Sequence, residues 1–239
     1  MRTLVILVLA ASCAVPLSQQ ADAGKRKKDA EPEVLEKVPE QTDSEAVLAM
    51  HRHLALVDGL RDAVIAGDLD RAKEAGRTLS RQPPIQSAPA TWVPWLSQIQ
   101  QSAGRVEDAW DLESASRTTA EIARVCASCH RAEGGGPTYE AVPAPGPSDG
   151  DVQTHMLHHK ASVDLMWEGL VAADDDRFKA GADALAAAEL DPEDAAPELD
   201  DMVHRLAAYG GRVKGVAARA DTLGAILATC ARCHEKNTP

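Results

Sequence analysis

The chain has 239 residues and a formal net charge of −12; 44% of its residues are apolar but only 3% aromatic. That length allows one domain or two, and the acidic balance excludes nucleic acid as a natural partner while suiting protein partners with basic docking surfaces. A composition dominated by alanine and leucine, poor in aromatic residues, favours helices over a β-sandwich.

The amino terminus carries Arg2 and then the run LVILVLAASCAVPL, which is too short to span a bilayer. With ADA at residues 21–23 it reads as an export signal over residues 1–23, cut after Ala23, so the mature chain is expected to be periplasmic. Cys13 gives a second reading: in LAASC it resembles a lipoprotein box, and membrane association would follow if it is lipidated. Residues 24–42 form a charged leader expected to be disordered, with KRKK at 25–28 as a weak attraction for anionic lipid.

The first predicted helix covers Ser44–Ala66, with Asp43 and Ser44 available as caps and Gly67 as the stop. A second follows at Asp68–Arg81, then the loop QPPIQSAP. The third runs from Thr91 to Ala109 with Pro94 in its first turn, and the fourth from Asp111 to Arg131, ended by EGGGP. Residues 134–150 are rich in glycine and proline and read as a linker. Four more helices are expected at Asp151–Ala172, Asp174–Leu190, Pro197–Val216 and Ala220–Lys236.

The second set repeats the first. MHRHLALVDGLRDAVIAGDLDRAKEAG from Met50 aligns without a gap to MLHHKASVDLMWEGLVAADDDRFKAGA from Met156, pairing Met50 with Met156, His53 with His159 and Asp58 with Asp164. GRV recurs at 104–106 and 211–213, and Cys126 pairs with Cys230. Short connections favour antiparallel neighbours. The expected fold is therefore all-α: two tandem up-down four-helix bundles over residues 43–133 and 151–239.

CASCH at 126–130 and CARCH at 230–234 hold all the cysteines that remain after Ala23. C-x-x-C-H is the attachment pattern of c-type haem: two thiols reach the vinyl groups of one porphyrin, and the adjacent imidazole binds its iron. Cys126, Cys129 and His130 are assigned to one covalent haem, Cys230, Cys233 and His234 to a second. Four thiols would also suit a zinc site, and C-x-x-C a redox disulfide. Zinc leaves both histidines redundant, and redox pairs usually open a helix, whereas these lie near helix ends.

A haem motif on the last of four helices, with the first helix facing the iron's other side, resembles the cytochrome c-prime family and its methionine-ligated low-spin relatives, and AGDLDRAKEAG between the first two helices is similar to that family's turn. The chain departs from the pattern in being duplicated and in having RAEGG and EKNTP where aromatic and basic residues usually follow the motif.

In an up-down bundle the start of the first helix lies beside the end of the fourth. The inward seam of that first helix reads Ala46, Met50, His53, Val57, Leu60, Val64, and in the second unit Val152, Met156, His159, Val163, Met166, Leu170. Each seam is apolar but for one histidine. His53 and His159 are the expected distal iron ligands, and Met50 and Met156, one turn earlier, the alternatives, or pliable core. His51, His155, His158 and His204 have no histidine at the matching position and are expected at the surface. The acidic runs DDD at 174–176 and ELDD at 198–201 read as solvated faces that help dock a basic partner.

The function expected is electron transfer by a dihaem cytochrome with iron cycling between ferrous and ferric, and no catalytic pocket of its own. The alternatives are a gas-binding protein of the c-prime type, in which one or both haems are five-coordinate, and a haem peroxidase, for which no arginine lies clearly on the distal seam. Trp167 and His158 already set the second unit apart from the first.

Overall fold

A computed structural model of the chain describes residues 44–146, 151–188 and 196–237. The apolar run with Cys13, the cut after Ala23, the leader, the last residues of the linker and the expected helix end at Leu190 lie outside them. The described residues form eight α-helices and one 3₁₀ turn, with no strand among them: α1 Glu45–Ile65, α2 Leu69–Ser80, the 3₁₀ turn Ala90–Trp92, α3 Val93–Glu107, α4 Leu112–Glu133, α5 Val152–Val171, α6 Asp175–Ala186, α7 Pro197–Gly210 and α8 Val216–Asn237. No helix among them is long and apolar enough to cross a membrane.

Local chemistry sets the helix ends. Ser44 caps α1 by accepting the Val47 N–H, and Asp68, Asp111, Asp151 and Asp174 cap α2, α4, α5 and α6 in the same way. Each such cap satisfies an otherwise orphaned donor and contributes about 1 kcal/mol. Pro94 and Pro197 sit in the first turns of α3 and α7, where no intrahelical N–H is required. Gly134, at φ 70°, closes α4 in the left-handed conformation that glycine adopts without strain. The expected helices Pro197–Val216 and Ala220–Lys236 need correction: α7 stops at Gly210 and α8 begins at Val216. Two successive glycines weaken the helix at 210–211, and Gly215 at φ 85° reverses the chain before Val216.

Within each half, consecutive helices pack on one another in order, and the first also touches the fourth: α1 on α4, α5 on α8. The most extensive interface joins the halves, α4 against α8, and residues 43–239 form one unit. Small residues allow that approach. A Cβ on Gly224 would stand only 3.2 Å from the Arg117 Cα and 3.3 Å from the Ala120 Cβ. Ala120 and Gly224 are matching positions in the two motif-bearing helices, so each half meets the other through the same patch, as in a two-fold dimer made within one chain. α1 and α5 repeat this logic. The Trp167 Nε1–H donates to Asp58 at 2.8 Å, and Arg61 faces Asp164 at 3.5 Å while lying over the Trp167 ring at 5.3 Å. Asp58 matches Asp164 and Arg61 matches Trp167, so one contact is made twice with its partners exchanged.

A single contiguous core runs through both halves, including Leu60, Leu79, Ile122, Met166, Phe178, Leu185, Leu223 and Leu227. Each fully buried side chain of this size contributes about 1.5–3 kcal/mol relative to exposure. Ala46, His53, Val57, Leu60 and Val64 of the α1 seam are buried, and Met50 is partly so; on α5, His159, Val163, Met166 and Leu170 are buried, with Val152 and Met156 partly so.

Candidate cofactor sites and a histidine cluster

Two cavities lie at matching places in the halves. The first, of 140 Å³, is lined by Cys126, Cys129 and His130 of α4, by Met50, His53 and Val57 of α1, and by Trp92, Trp95, Leu96 and Ile99 around the start of α3. The second, of 310 Å³, is lined by Cys230, Cys233 and His234 of α8, by Met156, His159 and Val163 of α5, and by Ala196, Leu199, Asp200 and Val203 at the start of α7. Position by position the linings correspond. The burial of Ile99, Ala103 and Val106 on α3 matches that of Val203, Ala207 and Gly210 on α7. In that register Trp92, Trp95 and Leu96 are replaced by Ala196, Leu199 and Asp200, so the second cavity is larger and has its carboxylate at the start of α7, where the first has Glu133 at the end of α4.

Each cavity is completed by the other half. Val171, at the end of α5, lines the first, and its counterpart Ile65, at the end of α1, lines the second. The His130 Nδ1 lies 2.6 Å from the Val171 carbonyl oxygen, which can accept only a proton, so Nδ1 donates. That fixes the tautomer and leaves Nε2 with its lone pair, the form a metal-ligating imidazole requires. Gly136 packs on the same ring: a Cβ there would approach the His130 Cγ to 2.8 Å. On the other side, the turn at Gly67 lies so close to α8 that a Cβ would be 2.7 Å from the Glu235 nitrogen, one residue beyond the second motif.

The four motif cysteines are free of disulfides. Their two pairs line separate cavities, so the thiols do not converge on one tetrahedral zinc site. Burial, with the neighbouring cysteine adding to it, pushes the Cys126 and Cys230 thiols up to about 12. Both sit in the latter half of a long helix, away from the N-terminal end that stabilises a thiolate, so neither has the character of a redox nucleophile.

The candidate distal residues differ between halves. Burial lowers the His53 pKa, keeping the ring neutral, and its Nε2 is buried with no hydrogen-bond partner. His159 is also buried and neutral, its pKa lowered to about 3 by desolvation and then by the neighbouring histidines, but its Nε2 lies 3.1 Å from the His204 Nε2. Met50 and Met156 line the same cavities as the histidines they precede.

Three surface assignments from the sequence need correction. His155 is fully buried, His158 is 7% exposed and hydrogen-bonded to the Ala184 carbonyl at 3.1 Å, and His204 is half-buried. His51 is exposed as expected, at the rim of the first cavity. The acidic runs are not simply solvated. Asp174 caps α6, Asp175 pairs with Arg131 and with Arg219, and Asp200 accepts from a histidine cluster, with His155 Nε2 at 2.9 Å. His155, His159, Asp200 and His204 bring one ligand atom each to within 4.8 Å of one another. The signal was present in the sequence as two i, i+4 pairs, H-x-x-x-H at 155–159 and D-x-x-x-H at 200–204, which set both members on one helix face. The first half has no counterpart of it, with Ala49, Leu96 and Gln100 at the matching positions.

No protein-family model, curated protein or solved structure matches the chain.

Proposed function

We propose that the chain is an exported, non-enzymatic electron carrier of the c-type cytochrome class, built as two four-helix bundles that each hold one covalent haem, and resembling the cytochrome c-prime family in layout. The observation that carries the reading is the convergence, in each of two matching cavities, of C-x-x-C-H with an imidazole and a thioether from the first helix of the same half. The residues fit the group: a mostly apolar cavity, two thiols one turn apart, and in the first site a proximal imidazole with its Nδ1 proton held and an orphaned buried nitrogen on His53. Cys126 and Cys129 would tether the first haem and Cys230 and Cys233 the second, with His130 and His234 as proximal ligands. A haem so held supplies an iron that takes up and releases one electron.

The polypeptide's own part is to fix ligands and exclude water. The Val171 carbonyl holds the His130 proton at Nδ1, and Gly136 admits the ring. His53 is the sixth ligand that the first site favours. In the second, His159 is turned toward His204 and Asp200, which favours Met156 as the sulfur ligand in place of the expected His159. That same observation supports a second reading, in which the second haem keeps a position open to carbon monoxide or nitric oxide. The amino-terminal run and ADA at 21–23 support export to the periplasm, and the net charge of −12 supports a basic redox partner.

Optical spectra of the exported holoprotein, oxidised, reduced and reduced under carbon monoxide, test this. Low-spin spectra unmoved by carbon monoxide at both haems support the closed carrier, and a carbon monoxide response at one haem supports the second reading. Absence of a covalent haem spectrum contradicts both.

A further inference from the structure

We infer that the second half binds one zinc ion between α5 and α7, through His155, His159, His204 and Asp200, at the edge of the second cavity, whose wall His159 and Asp200 also form. The ligands come as two i, i+4 pairs on facing helices, the arrangement by which helical proteins build metal sites in their interiors. Three imidazoles and one carboxylate suit zinc in chemistry and in number.

The geometry agrees with a tetrahedron. Four ligands about 2.0–2.1 Å from a zinc ion lie about 3.3 Å from one another along each edge. Four of the distances here are 2.9 Å for His155 and 3.6 Å for His159 to Asp200 Oδ1, 3.7 Å for His204 to Asp200 Oδ2, and 3.1 Å for His159 to His204. They bracket that edge, and all four ligand atoms lie within 4.8 Å of one another, so an ion fits with side-chain shifts on the order of an ångström. Three imidazoles crowded about one carboxylate make a poor hydrogen-bond network. The contact between His159 and His204 permits only one proton between two nitrogens. A dication satisfies all the lone pairs at once. The first half cannot form this site, since Ala49, Leu96 and Gln100 stand where His155, Asp200 and His204 do.

The inference goes beyond the electron-carrier reading and needs from it only that His159 is not an iron ligand. The test uses the holoprotein, stripped with a chelator, equilibrated with zinc chloride and desalted, with zinc and iron counted together. One zinc per chain is expected in the wild type and in Asp201→Asn, an exposed neighbour on α7. Asp200→Asn and His204→Ala should each lose zinc by more than the about 10–100-fold that even a supporting residue costs. Because a variant can lose zinc by misfolding, unfolding midpoints are measured with and without the ion. Zinc should raise the wild-type midpoint and leave that of Asp200→Asn, which keeps its shape, unmoved. No zinc in the wild type, equal zinc in Asp200→Asn, or a high-spin shift of one haem in His159→Ala overturns the inference. Zinc bound to a chain without iron upholds it and defeats the haem reading instead.

Discussion

The two cavities are lined by matching positions of one repeat, yet they differ in size and in the state of one histidine. The first is narrowed by Trp92 and Trp95, and its His53 has a buried nitrogen with nothing to bond. The second has Ala196 and Leu199 in their place, and its His159 is drawn into a cluster whose other members exist only in that half. The same register therefore gives the same residue two environments. C-x-x-C-H stands alike on α4 and α8, whereas His155, Asp200 and His204, in place of Ala49, Leu96 and Gln100, are enough to draw His159 to other partners than those of His53.

The largest effect that tests this comparison is loss of a cofactor from one side. Changing Cys126 and Cys129 to serine should reduce covalent haem from two per chain to one, and changing Cys230 and Cys233 should do the same for the other site. Pyridine haemochrome content against protein mass reads this, and loss of both haems from either change would show that the sites are not independent in assembly.

Next comes the ligand asymmetry. His53→Ala should turn one haem high-spin and open it to carbon monoxide, whereas His159→Ala should leave both haem spectra unchanged. Equal responses would restore the symmetry that the sequence register alone implies.

Helix spacing differs between halves as well. A Cβ on Gly181 would meet the Ser162 carbonyl oxygen at 2.5 Å, and one on Gly169 the Phe178 nitrogen at 2.3 Å. The matching residues of the first half, Ala75 and Ala63, already carry a Cβ. Gly181→Ala should destabilise the protein by about 1–3 kcal/mol through overpacking, against about 0.5–1 kcal/mol for Ala75→Gly. Urea unfolding of both variants makes the comparison, and a Gly181→Ala midpoint at or above the wild type's contradicts the close approach.

The smallest effect concerns the contact between halves. Burial raises the Asp58 pKa, only partly opposed by its bond from Trp167 and by Arg61. A carboxyl whose folded pKa exceeds its unfolded value loses stability as pH rises from the ordinary carboxylate range through the folded value. Asp58→Asn keeps an acceptor for Trp167 and should abolish that acid-range slope, while Trp167→Phe should cost about 1 kcal/mol. Stability measured across the acid range would show an unchanged slope in Asp58→Asn if the carboxyl were solvated.

The helices, their caps and the α1 and α5 seams were legible because each follows from short-range rules: a capping side chain, a proline in the first turn, an apolar residue every third or fourth place. The pairing of motif with distal candidates followed from helix order. What escaped was long-range. The turn glycines near 210–215 moved two boundaries, and no local pattern shows that Val171 holds His130 from the opposite half. The burial of His155 follows from a facing helix, where Asp200 and the half-buried His204 meet it, and no pattern within α5 alone shows that.

The account turns on two covalent haems, and the intact mass of the purified exported protein under denaturing conditions tests this most directly. The expected mass is that of the mature polypeptide plus two haem groups, with none of the four motif thiols open to alkylation. A mass equal to the polypeptide alone, with Cys126, Cys129, Cys230 and Cys233 all alkylated, would contradict it.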